Sequence, residues 1–254
     1  SGRCGLSRPI DGAAVTGEPL LRLEGVERTH RAADGGFALS VPRLDVAAGE
    51  RVVVLGPSGS GKSTLLDLLA FLAAPDRAES FLFSPNGHSH DIAALWRRGD
   101  RAALTRLRAA HMGYVLQTGG LLPYLTVREN LLLARRLLGL EVPGPADRLA
   151  EAVGVADLLG RRPAQLSIGQ RQRVAVIRAL AHMPRMILAD EPTAALDAGL
   201  GERVIDTLVA VSGAVGAALV LVTHDEELAC RAQGRIVRCQ ARRGADAPGS
   251  VVAA

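Results

Sequence analysis

The chain has 254 residues, 48% hydrophobic and 22% charged, with a formal net charge of +4. That length buries a substantial core, as one large domain or a core with a smaller lobe, and the mild positive balance admits a phosphate ligand, an acidic partner or a membrane surface without demanding nucleic acid. Aromatics make up only 3%, so Leu, Val, Ala and Ile must fill the core.

Residues 1–19 carry charges without an apolar signal-peptide core and read as an irregular segment. Residues 20–28 alternate apolar and polar like an edge strand, and 37–46 give a second short strand broken at Pro42. GERVVVLG is a turn and a buried β-branched run. A glycine-rich loop and a helix from Lys62 to Leu72 follow. Leu65, Leu66, Leu68, Leu69, Phe71 and Leu72 cover most of that helix's circumference, a pattern of burial. Residues 75–100, rich in Pro, Asp, Gly, His and Ser around a short SFLF, read as a loop-rich insertion, in which His88 and His90 are polar loop residues rather than a metal pair.

An arginine-rich amphipathic helix over 101–110 leads into HMGYVLQ, a short strand ending on Gln117. Helices are predicted over Val127–Leu138 and Ala146–Val155, separated by the breaker EVPGP, and again within 163–182. RMILADEP is a buried strand ending in two acids, Ala198–Val211 a helix, ALVLVTHD another buried strand, and 235–239 a last one. A long uncharged window, Thr207 to Thr223, holds a serine and two glycines. It reads as a helix tail, a turn and a buried strand, because a membrane span needs about 20 apolar residues. The small, polar tail 241–254 reads as disordered. Apolar strands alternating with helices predict a mostly parallel α/β sheet in a single domain over 20–240, with a helical lobe within about 118–182. Cys4, Cys230 and Cys239 lack metal spacing and read as reduced thiols.

Gly56-Pro57-Ser58-Gly59-Ser60-Gly61-Lys62-Ser63, followed by Thr64, fits G-x-x-x-x-G-K-[ST] between a predicted strand and a predicted helix. Glycines let backbone N–H groups wrap a phosphate, and the helix N-terminus adds positive potential. Lys62 is the only lysine among 30 basic residues. A compact cation suits such a loop better than a forked guanidinium, and Ser63 offers an oxygen to Mg²⁺. In ILADE, Asp190 can hold Mg²⁺ and Glu191 can orient or activate an attacking water. The chain therefore reads as binding and hydrolysing a nucleoside triphosphate.

Three further features choose among such proteins. Gln117 and His224 each end an apolar strand, where an amide can touch Mg²⁺ or the attacking water and an imidazole can contact a γ-phosphate. In LSIGQ, Ser167 caps a helix whose N-terminus, with Gly169 and Gln170, forms a second anion grip. The order GPSGSGKST, Gln117, LSIGQ, ILADEP, AALD, His224 resembles the ATP-binding cassette (ABC) ATPases over about residues 20–240. The resemblance implies an α/β fold: a P-loop NTPase core of mostly parallel sheet, an antiparallel β edge and an inserted helical subdomain. It implies ATP and Mg²⁺, with two copies head to tail, so that the signature of one faces the ATP of the other and Asp197 lies at the seam. His30 falls where relatives stack an aromatic ring on adenine, and Ile168 replaces the first glycine of the usual LSGGQ.

TGGLLPYLTVRENLLLA, Thr118 to Ala134, is similar to the same segment in the ATPase subunits of lipoprotein-release, macrolide-efflux and cell-division systems. That resemblance implies a homodimer on the cytoplasmic, inner face of the cell membrane, driving a separate permease by efflux or force transmission. Leu122, Tyr124 and Leu125 become candidates for the groove that receives the permease. No nucleic acid is expected as partner, and no membrane span in the chain itself. The alternatives are a soluble ABC ATPase acting on DNA or ribosomes, and a regulatory ATP-binding module with vestigial turnover.

Overall fold

The computed structural model describes residues 18–30, 37–142, 145–194, 196–242 and 249–253. Ten strands are described: β1 (Leu21–His30), β2 (Phe37–Val46), β3 (Arg51–Leu55), β4 (Ser80–Phe83), β5 (His90–Asp91), β6 (Met112–Val115), β7 (Met186–Asp190), β8 (Ala218–Thr223), β9 (Arg235–Arg242) and β10 (Gly249–Ala253). The helices are α1 (Lys62–Leu69), α2 (Ile92–Arg97), α3 (Arg101–His111), α4 (Val127–Leu137), α5 (Ala146–Ala152), α6 (Ile168–Leu180), α7 (Ala198–Val215) and α8 (Glu226–Ala232).

All the strands share one sheet, in the order β5-β4-β1-β2-β10-β9-β3-β8-β7-β6. From β9 to β6 neighbours run parallel; from β5 to β2 they run antiparallel. β10 joins the two halves, parallel to β2 and antiparallel to β9. Strand alternation divides the apolar residues of the parallel half between two cores. Val52, Val54, Leu188, Val220 and Val222 fill one. Val53, Leu55, Ile187, Ala189, Leu219 and Leu221 fill the other. Side chains of successive strand residues point to opposite faces, so a continuous apolar run is what a sheet covered on both faces requires. Each Val, Leu or Ile so buried contributes about 1.5–3 kcal/mol relative to exposure. The parallel strands all end on the same rim, and the turns after β3, β6, β7 and β8 carry the candidate site there.

Several expectations are corrected. β2 is unbroken through Pro42. The ladder pairs Glu24 with Arg43 and then Val26 with Val41, leaving Gly25, at φ +55°, opposite the proline that has no N–H to give. β10 reaches β2 only at Ala38–Ser40, so Pro42 deprives no strand on that side. The segment 75–100 is not a loop: it contains β4, β5 and α2, and His90 lies in β5, paired with Phe83. Phe81 and Phe83 pack edge-on against Phe71, with ring centroids 5.7 and 5.3 Å apart. α1 stops at Leu69, Phe71 turns at φ +55°, and Leu72 is 53% exposed, so burial ends one residue before the predicted helix does. β6 ends at Val115, which leaves Gln117 in the following turn. The expected disordered tail instead holds the end of β9 and all of β10, because the gap between β2 and β9 offers backbone partners on both sides. The irregular segment expected over 1–19 lies, up to residue 17, outside the described residues, as does Cys4. Cys230 and Cys239 are thiols rather than a disulfide. Among the described residues no helix is long and apolar enough to cross a membrane.

Candidate active site

The turn between β3 and α1 is shaped by what surrounds it. A Cβ on Gly56 would stand 2.6 Å from the Cys239 carbonyl oxygen, and one on Gly61 would stand 2.6 Å from the Phe37 ring. Gly61 also holds φ +83°, where only glycine is unstrained. Pro57, Ser58 and Gly59 are exposed at the tip, and Ser60 is buried. Behind the turn the Cys239 thiol donates to the Ser60 carbonyl at 2.6 Å. Burial pushes the Cys239 thiol pKa up, so it stays a neutral donor at physiological pH. No side chain caps the N-terminus of α1 and its first turn holds no acid. Those backbone N–H groups therefore face the turn as an anion site.

Lys62 is 5% exposed. Its Nζ donates to the Gly56 and Pro57 carbonyls, each at 2.9 Å, and lies 3.5 Å from Glu191 Oε1. A buried ammonium needs such partners. The carboxylate of Glu191 bridges onward: its Oε2 lies 3.2 Å from His224 Nδ1. Glu191 sits at φ +39° just past β7, with its N–H bonded to the Val222 carbonyl at 3.1 Å. A left-handed backbone at a non-glycine residue is held only where the surroundings over-determine it, and such residues cluster at functional sites. Burial raises the Asp190 pKa, with Glu191 and Asp67 adding to the rise; Lys62 and a hydrogen bond with Ser63 pull it back.

Ser58, Gly59, Gly61, Lys62, Ser63, Thr64, Gln117, Asp190 and Glu191 line one cleft of about 400 Å³. Phe37 lines it too, an aromatic that sequence reasoning missed. Its only signal was a large ring opening a strand in an aromatic-poor chain. Phe37 pairs with His30 across β1 and β2. The expectation for the His30 side chain lies outside the described residues.

Ser167, Gly169 and Gln170 stand elsewhere. They line an open depression of about 800 Å³ with Ile168, Asp197 and Leu200. Ser167 Oγ accepts from the Gln170 N–H at 3.2 Å, and Gln170 Oε1 accepts from the Ser167 N–H at 2.9 Å, a reciprocal cap that starts α6. Gly169 has a packing reason as well: a Cβ there would lie 2.7 Å from Leu200 of α7. Ile168 is 52% exposed. Asp197 borders both this depression and a neighbouring groove of about 420 Å³ that contains Glu191 and His224.

Glycine-rich turns recur in many folds. One that opens a helix straight from a buried parallel strand, with its lysine held against an acid at the end of β7, belongs to the P-loop nucleoside triphosphatases. Within that class, the sequence pattern described as "ABC transporter" matches residues 39–194. The chain belongs to that family, and its cassette is an ATPase. It is 39% identical over 226 residues to the lipoprotein-releasing system ATP-binding protein LolD of Ruegeria pomeroyi, covering 87% of this chain and 95% of that one. It is 41% identical over 226 residues to the probable export ATP-binding/permease protein MacB of Pseudomonas entomophila, covering 87% of this chain but 32% of that protein. The chain thus spans about a third of the length of such fused relatives. The dimeric structure of MJ0796, a bacterial ABC transporter cassette, superposes with a TM-score of 0.70 at 33% identity over 86% of this chain and 93% of that one. A post-hydrolysis dimer of the same cassette bound to ADP and phosphate gives 0.69, at the same identity and coverage.

Proposed function

We propose that the chain is the ATP-binding and hydrolysing subunit of an ABC transporter, closing head to tail as a dimer around two ATP and driving a separate membrane permease from the cytoplasmic face. The observation that carries the chemical part is Glu191, held between Lys62 Nζ and His224 Nδ1 in the cleft shared with Ser63 and Asp190. Lys62 exchanges carbonyl partners for the β- and γ-phosphates, and the α1 N-terminus donates to them. Ser63 and Asp190 fit Mg²⁺: one hydroxyl hydrogen-bonded to one carboxylate, the few protein oxygens that this ion takes beside phosphate oxygens. Among the described residues no cluster of three His, Cys, Asp or Glu side chains could hold a metal without such help. Bound there, Mg²⁺ neutralises charge on the β- and γ-phosphates.

In the reaction, water oxygen bonds to the γ-phosphorus as the bond to the β–γ bridging oxygen breaks, and ADP leaves with that electron pair. Glu191 takes the water proton, His224 orients Glu191 and reaches the γ-phosphate, and Gln117 places the water or the ion. The adenine is proposed to lie by the His30–Phe37 end of β1 and β2.

The partner arrangement rests on the signature. Ser167 and Gly169 face an open depression rather than the cleft around Lys62, so their phosphate grip serves a second copy. That is in keeping with the dimeric relatives. For the permease, the supporting feature is the turn before α4. Buried Asn130 binds the Leu122 N–H and the Leu122, Leu125 and Thr126 carbonyls, which fixes a turn that presents Tyr124 at 68% exposure. Leu122 and Leu125 flank it, half-buried. Relatives named for export and lipoprotein release point to efflux or force transmission as the work done.

The test is Glu191→Gln. Turnover should fall by roughly 10²–10⁴-fold, the range of general-base catalysis, while size-exclusion chromatography with ATP shows a trapped dimer. A variant that hydrolyses ATP at the parent rate overturns the reading.

A further inference from the structure

The backbone on the far side of Glu191 is held by a residue that the reaction does not otherwise use. Gln172, in the second turn of α6, is 5% exposed and its Nε2 donates to the Pro192 carbonyl at 2.6 Å. Its Oε1 faces the turn after Gln117, where a Cβ on Gly119 would stand 3.4 Å away. One buried amide therefore lies between the two turns that carry Gln117 and Glu191. The same helix grips the Gln117 side again, where Arg178 donates to the Gly120 carbonyl.

Glu191 itself is an unfavourable residue to place. It combines φ +39° with a following proline, which restricts the residue before it. Its N–H is tied to the Val222 carbonyl and its own carbonyl to the Ala194 N–H, both at 3.1 Å. Gln172 adds a third anchor one peptide further on, at the Pro192 carbonyl, and so completes the hold on the turn that aims the carboxylate at Lys62 and His224. A buried amide also has reason to keep this bond, since an unmade one leaves donor and carbonyl both unsatisfied.

We infer that Gln172 is a positioning residue for hydrolysis: by holding the Pro192 carbonyl it fixes the Glu191 backbone, and it ties that backbone to the helix that begins at Ser167. The inference rests on Glu191 being the general base. α6 then has two tasks, its N-terminus facing a second subunit's ATP and its second turn setting the base of its own.

The test compares Gln172→Met, which keeps length and loses the amide, with the parent chain and with Glu191→Gln. The expected result is a kcat at least tenfold lower with a KM for ATP within twofold, and less than twofold further loss when Gln172→Met is added to Glu191→Gln. A kcat within twofold of the parent overturns the inference. So does a loss that persists in full in the Glu191→Gln background, or one accompanied by an equal rise in KM. If Gln172→Met fails to fold, Gln172→Asn, one methylene too short to reach Pro192, is judged on the same criteria. Normal turnover in Glu191→Gln itself would instead sink the general-base reading, whatever Gln172→Met does.

Discussion

The rim around Lys62 and the start of α6 are both helix N-termini proposed here to meet an anion, yet they are finished to different degrees. At the first, a strained acid already bridges a buried cation and a histidine, and the turn is backed by Cys239 and Phe37. At the second, Ser167 and Gln170 satisfy one another, Ile168 is open to solvent and the depression is twice the volume of the Lys62 cleft. The first is a site in which the ligand replaces existing partners. The second is an open surface, which the proposed head-to-tail pairing would complete with a second copy.

The sharpest way to break that contrast is Ser167→Arg. Turnover should fall by about 100-fold or more, the scale of one lost transition-state contact, while calorimetry shows unchanged ATP binding to the monomer. Loss of monomer binding would mean that both helix starts serve one nucleotide. Lys62→Ala should do the opposite, raising the Kd for ATP roughly 100-fold through the loss of about 3 kcal/mol of charge-assisted contact. Unchanged affinity by calorimetry would remove Lys62 from the site.

Two smaller effects belong to α6 alone. Gly169→Val should destabilise the fold by about 1–3 kcal/mol, because the new side chain meets Leu200, and urea unfolding measures it. At the other end of the helix, His182 is buried, with Nε2 on the Met112 carbonyl and Nδ1 without a hydrogen-bond partner among the described residues. Burial lowers its pKa below 6.5 against the opposing hydrogen bond to Met112, and the charges of Arg135 and His111 add to the lowering. Between the folded pKa and 6.5 the unfolded chain binds the extra proton, so stability is complete above 6.5 and declines as pH falls through that window. The slope should be at most about 1.4 kcal/mol per pH unit. His182→Leu should flatten the urea midpoint between pH 7.5 and 5.5, and an unchanged slope would assign the acid sensitivity to other groups.

What could be read without coordinates was what is written locally. Gly56–Ser63, Asp190–Glu191 and Ser167–Gln170 declare themselves within a few residues each, and the apolar runs of β3, β7 and β8 carry their own periodicity. Features made by partners far along the chain were invisible. β4 is four residues long and is a strand because β1 pairs with it. Phe37 enters the cleft because the sheet brings β2 near a turn more than 20 residues later. Gln172 looks like one more polar residue after a signature, and only the approach of Pro192 from 20 residues away gives it work.

β10 has a last implication, for the order in which the protein can be made. It lies between β2 and β9, so its five residues are the seam of the whole sheet rather than an added margin. During synthesis one flank of β2, made more than 200 residues earlier, and one flank of β9 stay open until β10 arrives. A ribosome that stopped near residue 245 would release two unpaired flanks at once, the kind of surface on which chains pair with each other. The two open flanks thus close together, when β10 is made.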